Sequence, residues 1–186
     1  CHVLRYTHYT TKIRELIESG VIGDIVTFDR LEPVGYWHQA HSFVRGNWGN
    51  TDRSTFMLMA KSCHDMDWMR HVVGKPCKRV SSFGSLKHFR SEEAPDGATE
   101  RCWDCPVEKN CPYSAKRFYS QCLEDPARRG WVRILTDDVS EAGLETALRT
   151  GDYGRCVYHS DNDVVDHQVV NMEFEGGVTG TFTMTA

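Results

Sequence analysis

Apolar residues recur at helical spacing in some stretches of the chain and alternate with polar ones in others. From Thr10 to Ser19, Ile13, Leu16 and Ile17 share a face, Thr10 and Thr11 offer capping oxygens, and Gly20 closes the segment, so a short helix is predicted. Ile22-Gly23-Asp24 predicts a tight turn, and Ile25 to Leu31 a strand in which Ile25, Thr27 and Arg30 are nearly segregated from Val26, Phe28 and Leu31. Phe56 to Val73 carries the strongest helical pattern, methionine-rich, with Ser54 as a cap and Gly74 and Pro76 as stops. Lys78 to Leu86 predicts a second strand, Pro112 to Leu123 a helix with Pro112 at its first position, and Val139 to Arg149 a further helix. His167 to Phe174 and Val178 to Thr185 flank Glu175-Gly176-Gly177, the pattern of a β-hairpin with a glycine turn. Two stretches show no period. His38 to Asp52 is polar, aromatic and glycine-bearing and reads as a loop; Lys87 to Asn110 is a long irregular excursion. A loop of that length inside a domain is usually functional or tied down.

The order helix, strand, helix, strand, insert, strands predicts an α+β fold: an open, mainly antiparallel β-sheet with helices packed on one face and the other face left for a partner to cover. The 186 residues fit one domain with a cysteine-rich insert at about 87–125, and 40% hydrophobic residues are enough for a core. The formal charge of -4 excludes a basic face for nucleic acid and a polybasic stretch for a membrane surface. No apolar run approaches the roughly 18 residues of a membrane span. The opening residues do not read as a signal peptide. Without an initiator Met, and with a strand running to the last residue, the chain is expected to be a piece of a longer protein, incomplete at its C-terminal end. Eight cysteines without a signal peptide point to a reducing, cytoplasmic setting.

Four constellations could carry chemistry. On the long predicted helix, spacing puts Lys61, His64, Trp68 and His71 on one stripe, with Asp67 three residues after His64. An imidazole and an ammonium one turn apart can handle protons near neutral pH; a solvated polar stripe is the commoner fate of such spacing. Second, Cys102, Cys105 and Cys111 form C-x2-C-x5-C, a spacing that suits zinc better than a disulfide framework. A tetrahedral site needs a fourth ligand, for which His88, Cys63 and Cys122 are candidates; His88 joins the three thiols in the expected set. Third, His41, Arg45 and Trp48 lie in one aromatic stretch suited to a polyhydroxyl ligand, tryptophan facing sugar C–H groups while His and Arg direct hydrogen bonds. Fourth, Asp161-Asn162-Asp163 before His167 reads as a turn near a ligand site. There is no G-x-G-x-x-G, no Walker A loop, no G-x-S-x-G and no H-E-x-x-H, so no dinucleotide site is expected on this chain by itself.

The segments His2–Tyr6, Ile13–Gly20, Val21–Ile25, His41–Gly46, Cys63–Asp67, Arg101–Tyr113 and Asn162–Asp166, in that order, resemble a cysteine-bearing branch of the Gfo/Idh/MocA oxidoreductases, downstream of the Rossmann domain. The resemblance implies a two-domain enzyme that uses NAD or NADP on a sugar, polyol or cyclitol. A preceding domain would carry the dinucleotide site and a lysine; this chain, inactive alone, would carry the substrate pocket and an open sheet face used in a homo-oligomer. His64 matches the family's catalytic histidine, with Lys61 beside it. Arg45, His41, Trp48, Asp67 and His167 would meet substrate, and Arg5 and Tyr6 the cofactor. The family's aspartate one turn before the histidine is Ala60 here. That departure keeps two alternatives in view: an NAD-dependent glycosidase, and a non-catalytic, zinc-stapled dimerisation module.

Overall fold

Strands β1 (Thr27–Pro33), β2 (Cys77–Ser85), β3 (His167–Phe174) and β4 (Thr179–Thr185) form one mixed sheet in the computed structural model, which describes residues 2–186. The strand order is β1-β4-β3-β2. β3 runs antiparallel to β2 and β4, and β1 runs parallel to β4 with Thr27 opposite Thr179. The turn between β3 and β4 needs positive φ at Gly176 and Gly177 (80° and 83°), which glycine adopts without a Cβ penalty. The longer helices are α1 (His8–Glu18), α2 (Cys63–Val73), α3 (Ala115–Glu124) and α4 (Glu141–Thr150). None of the described helices is long and apolar enough to cross a membrane.

Two compact units share this chain. The first comprises Cys1–Val34, Thr55–Ser85 and Val165–Ala186, and holds the sheet with α1 and α2. Strict alternation along its strands gives the inner face Phe28, Arg30 and Glu32 from β1, Val170, Met172 and Phe174 from β3, and Gly180, Phe182 and Met184 from β4. This corrects the predicted facing of β1. Arg30 lies with Phe28, and Leu31 points the other way, because side chains two apart share a face. α2 is set against this face: a Cβ added at Gly180 would meet the Phe28 ring at 2.9 Å and Met69 at 3.4 Å. Trp68 Nε1 donates to Thr10 Oγ1 at 2.8 Å, tying α2 to α1. On the outer face Phe83, Val169, Thr183 and Leu31 stand in register across all four strands, with Phe83, Val169 and Leu31 exposed.

The helix predicted over Phe56–Val73 is two. Met57–Ala60 ends at Lys61 (φ -120°, ψ -57°), and α2 starts at Cys63 and stops at Gly74 in the left-handed region. The break falls where Lys61 leaves the helix line to pair with Glu32 and where Ser62 is fully buried.

The second unit comprises Gly35–Ser54 and Leu86–Val164, wider than the insert expected at about 87–125. The predicted loop at 38–52 is largely helical: Tyr36–His38 runs on into π-helical Gln39–Arg45, every residue of which is buried. Polar and aromatic composition hid a buried element there. Gly46 allows its end, since a Cβ there would lie 2.8 Å from the His41 carbonyl. α3 begins not at Pro112, as predicted, but after Ser114, whose Oγ accepts from Arg117 N–H, and α4 follows Ser140, whose Oγ accepts from Gly143 N–H. They enclose a core of Tyr119, Cys122, Val132, Leu144 and Leu148, while Ala40, Val44, Phe89, Val157 and Tyr158 form a second.

Candidate functional site

The inner face of β1 brings two charged side chains, Arg30 and Glu32, to the sheet side on which α2 lies. Asp65, only 1% exposed, accepts from Arg30 Nε at 3.0 Å and Nη2 at 2.8 Å, while Arg30 also lies 4.9 Å over the Trp68 ring. Burial pushes the Asp65 carboxyl up, against the lowering effect of Arg30. Lys61 Nζ donates to Glu32 Oε1 at 2.6 Å. A half-buried network thus runs Lys61–Glu32–Arg30–Asp65, and it ends one residue from His64 in sequence.

His64 is half-buried on α2 and its Nδ1 has no hydrogen-bond partner among the described residues. Its ring lies edge-on to His2 at 5.8 Å. Asp67, expected to orient His64 or meet substrate, instead accepts two hydrogen bonds from Arg5, through Nε at 2.7 Å and through Nη2, with His2 Nε2 at 3.7 Å. The Arg5 guanidinium holds the Asp67 carboxyl below its usual range. Arg5, expected at the cofactor, is therefore engaged within the unit, whereas neighbouring Tyr6 is 82% exposed. His167, at the start of β3, bonds Asp166 Oδ1 through Nδ1 at 2.8 Å and Ser85 Oγ through Nε2 at 3.1 Å. The structure brings Lys61, His64, Asp67 and Arg5 onto and around α2. Glu32, Arg30, Asp65 and His2 join them although sequence reasoning passed them over. The signal available was a strand with two charged residues, Arg30 and Glu32, on the same face as Phe28.

In the second unit His41 and Arg45 line one aromatic pocket with Tyr36, Trp37 and Phe118. His41 Nδ1 lies 2.6 Å from Tyr119 Oη, and its ring stacks on Tyr153. Burial, with the nearby charges of His38 and Arg45, pushes the His41 imidazole down to about 4, and burial pushes the Tyr119 hydroxyl up. At neutral pH a neutral ring and a protonated hydroxyl share this bond, and the ring's tautomer sets which of the two donates. Trp48 stacks at 6.0 Å on Phe43 and keeps 42% of its surface exposed. The acidic turn is a set of clamps. Asp163 accepts from Thr51 N–H and Oγ1, Asn162 Nδ2 donates to the Phe89 carbonyl, and Asp161 pairs with Arg53 and Arg155.

Cys102, Cys105 and Cys111 line one small pocket, as their spacing predicts, but His88 does not join them. Its Nε2 faces Tyr113 Oη at 3.0 Å and Tyr158 Oη at 3.4 Å. The thiol that completes the lining is Cys156. The other candidates are placed apart: Cys122 lies in the α3–α4 core and Cys63 at the start of α2. Among the described residues no three His, Cys, Asp or Glu side chains already close on a common point as a metal cage would.

The family model described as "Oxidoreductase family, C-terminal alpha/beta domain" matches residues 14–186. The putative oxidoreductase YteT of Bacillus subtilis is 24% identical over 185 residues, covering 97% of this chain and 41% of that protein. Among solved structures, the chain is similar to scyllo-inositol dehydrogenase from Lactobacillus casei, solved with NAD(H) and scyllo-inositol, at 15% identity and TM-score 0.49, covering 100% of this chain and 34% of that one. It is likewise similar to a probable dehydrogenase from Thermotoga maritima at 15% identity and TM-score 0.46, covering 99% and 33%. The chain spans less than half the length of these relatives. With a match that begins at Arg14 and runs to Ala186, the chain belongs to the Gfo/Idh/MocA oxidoreductase family and corresponds to its C-terminal α/β domain.

Proposed function

We propose that this domain is the substrate half of an NAD(P)-dependent oxidoreductase acting on a sugar, polyol or cyclitol, with His64 as its acid–base group. The observation that carries this reading is the uncommitted imidazole. His64 sits on α2 with no partner at Nδ1 among the described residues, while the side chains that could have locked it are engaged elsewhere, Asp67 by Arg5 and Lys61 by Glu32. His64 would take the proton of the reacting hydroxyl in oxidation and return it in reduction. Lys61, anchored on Glu32, takes the second catalytic place. In the second unit exposed Trp48 offers a flat apolar face to sugar C–H groups, and His41 and Arg45 line the aromatic pocket; in the first, both ring nitrogens of His167 are held by Asp166 and Ser85.

The residues present do not compose a dinucleotide site. No glycine-rich phosphate loop is in the sequence, and Arg5 is spent on Asp67. Exposed Tyr6 is the group left to meet a cofactor held by a preceding domain. Hydride chemistry belongs to that cofactor, and none of it falls on this chain. The exposed row Phe83, Val169 and Leu31 suits a second copy in a homo-oligomer.

In the full-length protein, with inositols, polyols and aldoses offered together with NAD or NADP, His64→Ala should lower turnover by about 10²–10⁴-fold without changing the circular dichroism spectrum. Wild-type turnover in that variant would sink the assignment. Sugar release without net NAD(P) reduction would replace the dehydrogenase reading with a glycosidase.

A further inference from the structure

Arg45 is 7% exposed and carries a full positive charge, yet no carboxylate pairs with it among the described residues. Nε donates to the Arg155 carbonyl at 2.7 Å and Nη2 to the Tyr113 carbonyl at 2.7 Å; Nη2 also reaches Cys102 Sγ at 3.3 Å. A buried guanidinium with only neutral acceptors is expensive unless an anion lies beside it. The side-chain atom its guanidinium faces is the Cys102 sulfur.

Three turns of chain deliver four sulfurs to one pocket. Cys102 and Cys105 flank a tight turn in which Cys105 N–H donates to the Cys102 carbonyl, and Cys111 follows the single helical turn Glu108–Asn110. Cys156 arrives from 45 residues further on, through an isolated antiparallel bridge between Arg101 and Arg155. Cys102 N–H donates to the Gly154 carbonyl and Cys156 N–H to the Glu100 carbonyl, both at 2.9 Å, so each cysteine directly follows one member of the bridged pair. Each of three sulfurs already has donors aimed at it: the Arg45 guanidinium at Cys102, the Tyr113 amide at Cys111, and the Tyr158 and His159 amides at Cys156.

We infer that Cys102, Cys105, Cys111 and Cys156 form a structural site for one tetrahedral, thiophilic divalent ion, zinc, with Arg45 as its charge partner. This goes beyond the dehydrogenase reading and does not rest on it. The sulfurs line the pocket without converging as they stand. Each cysteine has a single side-chain torsion with three staggered wells, so closing the cage asks for χ1 rotations. Binding is redox-neutral: four thiols release four protons to solvent and four S–Zn bonds form. The complex carries two negative charges, one of them offset by Arg45. The ion would join the irregular 102–111 segment to the chain at Cys156, next to the Arg101–Arg155 bridge, a staple for a region poor in regular structure.

The test uses the full-length protein, purified with a thiol reductant, with zinc quantified by mass spectrometry and then exchanged for cobalt. The expected result is about one zinc per chain, and a cobalt derivative with the intense sulfur-to-metal charge-transfer bands of four-thiolate coordination. Cys156→Ser should weaken those bands and raise the rate of zinc loss to a chelator at least tenfold, whereas His88→Ala should leave stoichiometry and spectrum unchanged. If Cys156→Ser fails to fold, the wild-type cobalt spectrum still decides the ligand set. Metal-free folded protein, a disulfide between any two of the four cysteines, iron with acid-labile sulfide, or a spectrum showing imidazole coordination would each overturn the inference.

Discussion

The two units are built by different physics. In the first, the sheet and α2 bury Met69, Val170 and Phe182 and half-bury Phe28 by periodic patterning, and a half-buried ion pair, Arg30–Asp65, links β1 to α2. In the second, two apolar cores are joined by close backbone approaches, aromatic–histidine contacts and polar clamps. A Cβ at Gly154 would lie 1.7 Å from the Leu148 carbonyl oxygen; at Gly180 the nearest atoms belong to the Phe28 ring, which can turn aside. The lesson is that tolerance follows what surrounds a residue. Side chains in the sheet core can repack, whereas backbone packed on backbone cannot.

The sharpest way to break this comparison is a matched pair of glycine substitutions. Gly154→Ala should destabilise by about 4 kcal/mol or more, visible as lost hydrogen-exchange protection over 86–164. Gly180→Ala should cost only about 1–2 kcal/mol. Equal losses would show the two units to be equally yielding.

Next in size, Arg30→Ala leaves Asp65 buried without its partner, and its Oδ2 is already unpaired. A loss of about 3 kcal/mol is expected in denaturant unfolding. Lys12→Ala, which removes only the exposed pair with Glu15, should be silent by the same assay.

The third contrast is in pH. The folded-state pKa of His41 is depressed to about 4 from an unfolded value near 6.5, so its neutral form is the one the fold holds. Its contribution is present above about pH 6.5 and is lost as pH falls toward 4, a total of up to about 3 kcal/mol from the shift. Thermal unfolding between pH 7 and 4.5 should therefore show a falling melting temperature. The slope should be shallower in His41→Gln, and an unchanged slope in that variant would assign the acid sensitivity to other groups.

Much of the first unit was legible beforehand. The hairpin around Gly176-Gly177, the stop at Gly74 and the open, mainly antiparallel sheet follow from period-two and helical patterns with their glycine signals. His64 on the long helix and the three-cysteine spacing were legible too, because both are local in sequence. The break at Lys61 was not, since its cause is Glu32 on a strand 29 residues away. Nor was the buried helical course of Gln39–Arg45, whose histidine, glutamine and arginine look solvated until Tyr119 and backbone carbonyls are seen to satisfy His41 and Arg45.

What the amino-acid order determined alone is element periods, glycine stops and turns, and the C-x2-C-x5-C run; the caps expected at Thr10, Thr11 and Ser54 do not form, since α1 begins at His8 and Met57–Ala60 follows Phe56. Tertiary structure alone decided which charged groups pair and which thiol completes the pocket, bringing Cys156 to Cys102 through the Arg101–Arg155 bridge. The physical reason is reach. Hydrophobic period and capping act over a few residues. Ion pairs, buried donors and shared pockets are set by distances in space, to which separation along the chain is no guide.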